Sequence, residues 1–369
     1  MAKTLVISLN ILLSVFLGQS ALSAQSAHRH RQDTLKILFL GDIMQHQSQL
    51  DAAYTTGPKN DPGSYDYSSY YEHLKEYFDR ADLICANMET NFAPPPYSGY
   101  PVFASPSSLA SQSFDKGINI FLAANNHICD KGAKGLKGSV ELFDSIGVFH
   151  AGLYRNEEEE YMRHPLNIKT GDFKIAFLNY TYGTNGFAVP DPYIVKILDS
   201  TTIKKDLAKA VMVNPDRIIV CVHWGPEYSL GTSASQKKWE DFFYRYGADM
   251  VIGSHPHVPQ EVTYVEESDS FGSKRASRIT AFSLGNAISN MSVENTRIGI
   301  MLEVNIVKDR HGNTSTLPPK AHYIWTARPN STAKNYSIIP IEKFLKNPSD
   351  YPCADDYDKV KYFYNRFNK

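Results

Sequence analysis

The feature that most constrains this chain is the stretch 251–257, where an apolar strand-like run ends directly in Ser254-His255-Pro256-His257. Two imidazoles so close in sequence, on a turn whose direction Pro256 restricts, can face one small volume, the geometry a metal ion needs. A second strand-like run, 217–222, ends at His223-Trp224-Gly225. A third, 118–123, leads into Asn125-Asn126-His127, and a fourth, 35–40, stops at Gly41-Asp42. In open α/β sheets ligands gather outside the carboxyl ends of the strands, so polar side chains at four strand ends argue for one shared site.

From Leu35 onward strand-like and helix-like segments alternate, the pattern of an α/β domain. Tyr70, Tyr71, Leu74, Tyr77 and Phe78 fall on one helical face, and Ser105-Pro106 reads as a helix cap followed by proline at the first helical position. Helices are expected over 134–146, stopped by Gly147, and over 201–213, 235–246 and 355–367, with 157–160 an acidic solvated face. Residues 82–86 read as a short buried strand leading to Asn87-Met88-Glu89, and 173–180 as a strand running into a Tyr-rich loop. Beyond His257 the strand-like runs 261–265, 278–284, 299–307 and 322–327 follow one another without helices, which predicts an antiparallel part of a sheet. No linker divides the chain, so one mixed α/β domain is expected over 35–330, with 331–369 a C-terminal extension whose helix packs on it.

The chain has 369 residues, of which 42% are hydrophobic, ample for a large core. A net charge of −1 gives no electrostatic reason to expect nucleic acid or an anionic membrane surface as partner. Lys3, the mostly apolar run 5–17 and Ala21-Leu22-Ser23-Ala24 have the form of a secretory leader over 1–24, followed by a polar lead-in, 25–34, expected to be disordered. The apolar core, broken by Ser8, Asn10 and Ser14, is short of the roughly 20 residues of a membrane span. The expectation is an exported protein, periplasmic or extracellular, tied to the membrane only if the leader stays in place. Cys85, Cys129, Cys221 and Cys353 are too few and scattered for a disulfide framework, though one bridge stays open.

The candidate ligands are Asp42, Glu89, Asn126, His223, His255 and His257, with His127 beside them as the catalytic candidate. Mixed oxygen and imidazole donors suit Mn, Fe, Zn or similar ions, and the number of candidates exceeds one tetrahedral zinc, which favours two divalent ions. His46 is an optional further ligand if a helix starts there and turns it back; otherwise it is a polar surface residue. Glu227, Asn286 and Tyr182 are expected to hold substrate or support the ligands. His150, His164, His311 and His322 lack such a setting and are read as structure or surface.

Gly41-Asp42-Ile43-Met44, Asn87-Met88-Glu89, Ala124-Asn125-Asn126-His127, Val222-His223-Trp224-Gly225-Pro226-Glu227-Tyr228, Gly253-Ser254-His255-Pro256-His257-Val258 and Ser283-Leu284-Gly285-Asn286 together resemble the CapA family, linked to poly-γ-glutamate capsule synthesis in bacteria. That family is similar to calcineurin-like metallophosphoesterases, which implies a four-layer α/β/β/α sandwich with two metals. By this resemblance Asp42 is a ligand at the first strand end, Glu89 the bridging carboxylate, Asn126 the Asn ligand, His127 the adjacent catalytic His, and His223, His255 and His257 the remaining ligands. Two departures stand out. Met44 holds a slot where the phosphoesterases carry His, as is usual in the CapA branch, so one metal position loses a ligand unless His46 or water replaces it. The bridging group is Glu rather than Asp, longer by one methylene.

These readings lead to an exported metal-dependent hydrolase acting on a cell-surface polymer or a small anionic substrate, by phosphoester or γ-glutamyl amide hydrolysis, with peripheral association with the envelope open. The alternative is a non-catalytic metal-binding protein that assists assembly or export of a capsule polymer. A third reading, a glycan-binding surface protein using its aromatic loops, predicts sugar affinity indifferent to chelators.

Overall fold

The computed structural model describes residues 34–266 and 277–368. The leader, and the lead-in up to residue 33, lie outside the described residues. Thr34 opens the first strand, Thr34–Ile43.

Two sheets carry the fold. In the first, of nine strands, Thr34–Ile43 lies between Ile298–Lys308 and Leu83–Met88, and the order continues through Ile120–Leu122 to Phe149–Ala151. These last steps are all parallel. In the second, of six strands, Phe173–Thr181, Arg217–His223, Met250–Ser254 and Arg278–Ala281 run parallel in that order. Parallel pairing collects the carboxyl ends of each set along one edge, and this brings the candidate ligands together.

Side-chain alternation explains the layering. Along the first strand Leu35, Ile37 and Phe39 join Ile219, Cys221, Met250 and Ile252 of the second sheet in one buried cluster between the sheets. Leu38 and Leu40 face the other way, with Leu109, Leu136, Val140 and Phe143 of the helices Ser107–Asp115 and Gly132–Ile146. On the far side of the second sheet Ile218, Val220 and Val222 pack on Ile203 and Leu207 of Ser200–Met212 and on Phe243 of Ala234–Arg245. The result is an α/β/β/α sandwich, as expected, built by period-2 strands that are apolar on both faces.

Several local expectations are met in modified form. The helix ending at Gly147 is present, with Gly147 at φ +75 closing it. The expected 70–78 helix is a 3-10 segment, Ser68–Leu74, passing into a short α-helix, Lys75–Phe78. The helix near Pro106 begins at Ser107, with Pro106 rather than Ser105 at the cap position. Ser105 is committed elsewhere: its hydroxyl pairs with Thr90 Oγ1 at 2.7 Å and its N–H donates to Asn91 O. The strands after His257 are divided between the sheets. Val262–Val265 is antiparallel to Arg278–Ala281, which itself runs parallel to Met250–Ser254, whereas Ile298–Lys308 and Lys320–Ala327 join the first sheet antiparallel. Residues beyond 330 contribute the strand Ser337–Pro340 and the helices Ile341–Lys346 and Tyr357–Phe367, whose apolar residues pack with Ile298 and Trp325. All four cysteines are buried and unbridged. No helix among the described residues is long and apolar enough to cross a membrane.

Candidate metal centre

Asp42 ends its strand where Gly41 lets two backbones meet: a Cβ on Gly41 would stand 1.8 Å from Gly285 O, and Asp42 N–H donates to that oxygen at 3.0 Å. The Asp42 carboxylate then accepts from Asn87 Nδ2 at 2.7 Å and the His255 N–H at 3.3 Å, and lies 3.1 Å from His257 Nδ1. Asn87 sits opposite Asp42 in the register of the paired strands, so the sheet itself sets this contact.

His255 and His257 hold φ values of +97 and +58. Residues other than glycine rarely enter that region, and such strain concentrates at functional sites. The two imidazoles have ring centroids 5.7 Å apart, and the centroid of His255 lies 4.6 Å from that of His223.

Glu89, fully buried just past the second strand, lies between them: Oε1 is 3.6 Å from His223 Nε2 and 3.7 Å from His257 Nε2. Both of its carboxylate oxygens, and Nδ1 of His255, are buried with no hydrogen-bond partner. Burial first, then the carboxylates of Asp42, Glu227 and Asp130, push the Glu89 carboxyl well above its ordinary range. Burial, reinforced by neighbouring imidazoles, holds His223 and His255 well below theirs, so both rings are neutral donors. Among the described residues no Lys or Arg forms an ion pair with Asp42 or Glu89. Buried acids without a cation, beside an imidazole whose Nδ1 has no partner, are the donor set a divalent ion satisfies. Of the five groups of described residues whose ligand atoms lie within 4.8 Å of one another, three are built here: Glu89, His223 and His255; Asp42, Glu89 and His257; and Glu227, His255 and His257.

Asn126 Oδ1 lies 2.9 Å from His223 Nε2, and Asn286 Oδ1 lies 3.0 Å from His257 Nδ1. Tyr182 covers the imidazoles, its ring centroid 4.6 Å from that of His255. Glu227 is exposed, yet falls within one of the three donor groups. His46 falls in none of them. The helix Gln47–Ala53 starts after it, and its Nδ1 lies 3.1 Å from Gln49 Oε1 and accepts from the Asn290 N–H at 3.3 Å when that nitrogen is unprotonated. Burial lowers its pKa to about 4, against a smaller opposing effect of the Gln49 hydrogen bond.

Sequence reasoning missed three participants. Asp130 accepts from His127 Nδ1 at 2.8 Å; an acid three residues after a candidate catalytic His was the available signal. Asn87, in addition to holding Asp42, brings Nδ2 to 3.2 Å from His223 Nδ1, and Ser254 Oγ lies 3.1 Å from the same nitrogen. Both stand in the motifs at their strand ends, but nothing in the spacing paired either with His223.

A two-sheet sandwich with buried acids and imidazoles at its converging strand ends defines a class of α/β/β/α proteins with a candidate metal centre. The chain belongs to the family described as Bacterial capsule synthesis protein PGA_cap, whose model matches residues 36–291, in agreement with the CapA resemblance of the motifs. It is similar to the capsule biosynthesis protein CapA of Bacillus anthracis, 22% identical over 292 residues, covering 75% of this chain and 66% of that protein. The chain thus spans just under two thirds of that relative's length. It is also similar to the PGA biosynthesis protein CapA of Bacillus subtilis strain 168, 21% identical over 322 residues, covering 85% of this chain and 78% of that protein. Among solved structures, similarity is found to the NAD nucleotidase of Haemophilus influenzae, with TM-score 0.45, 12% identity, and coverage of 90% of this chain and 60% of that one. The calcineurin-like phosphoesterase YfkN of Bacillus subtilis gives TM-score 0.45 and 12% identity, with 79% and 90% covered.

Proposed function

We propose that this chain is an exported, metal-dependent hydrolase acting on an anionic or carbonyl-containing cell-surface substrate, a phosphate ester or a γ-glutamyl amide. The observation that carries the reading is Glu89: a fully buried carboxylate, both oxygens unpartnered, between His223 and His257. Asp42, Glu89, Asn126, His223, His255 and His257 are the residues that would hold one or two divalent ions, with Mn, Fe and Zn favoured by the mixed oxygen and nitrogen donors. A cation held there supplies positive charge that polarises an oxygen and lowers the pKa of water.

The protein's own groups do the rest. Asp130 fixes Nδ1 of His127, leaving Nε2 to pass a proton to the leaving group. Tyr182, and the exposed Tyr100 in the proline-rich stretch 94–101, wall the approach and suit an extended substrate. Glu227, at the exposed rim, orients substrate or completes the donor set.

A second reading has one observation in its favour. Met44 is buried at 1% exposure in a slot where phosphoesterases carry a His ligand, which leaves room for a non-catalytic role in assembling or exporting capsule polymer. Metal analysis of the purified full-length protein beside a His255→Ala/His257→Ala double variant tests the centre. Phosphodiester and γ-glutamyl peptide assays then separate the readings. Turnover lost in His127→Ala with metal retained supports the enzyme, whereas full metal occupancy without turnover on either substrate supports the assembly role.

A further inference from the structure

We infer that a cavity bounded by Arg297, Arg328, Lys359 and Trp325 binds an oxyanion, a phosphate or carboxylate group, at a place separate from the metal centre. The cavity measures about 250 Å³ and also meets Met291 and Glu294. Three cationic side chains therefore share a space large enough for one anionic head group.

Their charges are not balanced from within. Arg297 is the one with an acid: NH1 lies 3.3 Å from Asp356 Oδ1, NH2 pairs with Oδ2, and Nε donates to Thr326 O at 3.0 Å. Trp325 Nε1 donates to that same Asp356 carboxylate at 3.1 Å, so it has little capacity left. Arg328 has no carboxylate partner among the described residues; it donates to Met291 O, and its Nε is buried without a partner. Lys359 forms no ion pair among the described residues, and its ammonium stands 6.0 Å from the Trp325 ring, over which Arg297 lies at 4.3 Å. Glu294 is turned to Arg366, 2.9 Å away. Burial, and then the nearby Arg297 charge, lower the Arg328 pKa. An oxyanion in the cavity would relieve the repulsion among these cations, and guanidinium groups suit its geometry.

The wall of this cavity is also a support of the metal centre. Residues 289–297 link the strands Asn286–Ile288 and Ile298–Lys308. One side of this segment meets Arg328 through Met291 O, while on the other Asn290 N–H donates to His46 and Thr296 O accepts from Asn286 Nδ2. An anion in the cavity steadies the segment against which Asn286 orients His257.

The inference stands apart from the catalytic reading and is tested without it. Calorimetric titration of metal-stripped protein with inorganic phosphate, and separately with glutarate, should show binding of at least one probe at millimolar concentrations; the tighter one identifies the source of the anion. Lys359→Ala should weaken it about tenfold, the loss of one charge-assisted contact, and Lys359→Arg should restore it. The Lys359 ammonium makes no hydrogen bond among the described residues, so Lys359→Ala is expected to fold, which its melting curve checks. Binding to the metal-stripped protein that ignores Lys359→Ala would place the anion elsewhere and overturn the inference. No binding of either probe would overturn it as well.

Discussion

Nδ1 of His257 lies 3.1 Å from the Asp42 carboxylate, and the same nitrogen lies 3.0 Å from Asn286 Oδ1. Asn286 Nδ2 donates to Thr296 O at 2.9 Å, which fixes the amide with its oxygen toward the imidazole. Two acceptors on Nδ1 assign the proton to that nitrogen and leave the lone pair on Nε2, the atom nearer Glu89. Asn286 is thus a tautomer-setting residue. Asn286→Ala should weaken divalent-ion affinity by ~10–100-fold, measured by chelator competition. An unchanged affinity would show that His257 needs no such support.

Glu89→Gln should separate stability from binding. Without metal, replacing a buried, unpartnered carboxylate by a neutral amide should raise the melting temperature. With metal in hundredfold excess over its Kd, the unaltered protein should gain about 2.7 kcal/mol, and the variant nearly none. The stability order of the two proteins therefore reverses on adding metal. Calorimetric scans with and without Mn or Zn measure both effects, and parallel gains in the two proteins would contradict the assignment of Glu89.

Gly41→Ala should be among the most damaging single-methyl additions in the chain. Its Cβ would stand 1.8 Å from a backbone oxygen, which has no flexible side chain to move aside. A cost of about 3 kcal/mol is expected, together with displacement of Asp42 and loss of metal. Urea unfolding and metal content should change together; a normal unfolding midpoint would mean that the two strands separate readily.

Glu303 sets an acid limb remote from the site. Burial raises its pKa, but hydrogen bonds from Asn305, Lys36 and His322 outweigh that effect and bring it to about 2, from an ordinary 4.5. A carboxyl with a depressed folded-state pKa stabilises above its unfolded value and loses that contribution as pH falls. The melting-temperature difference between the native protein and Glu303→Gln should be full at pH 6 and should shrink steadily from about pH 4.5 toward pH 2. A difference independent of pH would mean the contacts of Glu303 do not depend on its charge.

The sequence made the strand ends legible because a run such as 218–222, apolar on both faces, buries the histidine that follows it, and a buried imidazole needs a partner. His255 and His257 were legible for the same reason, although their shared left-handed backbone was not, since no glycine marks it. Asn87 was hidden because its partner Asp42 is reached across the sheet, and only strand register reveals that pairing. The division of the later strands between two sheets was equally hidden: alternation states which residues face a core, not which of two sheets they join. The tyrosines at 70 and 71 showed a buried face correctly, but their spacing could not distinguish a 3-10 turn from an α-helix.

The donors reach the centre from opposite layers. Asp42, Glu89 and Asn126 follow strands of the first sheet, whereas His223, His255 and His257 belong to strand ends of the second. An ion shared among them would therefore act as a rivet, clasping the two sheets together along that edge. Chelation should loosen that rim first, speeding amide exchange around residues 254–258 and 286–290 while the opposite rim stays shut.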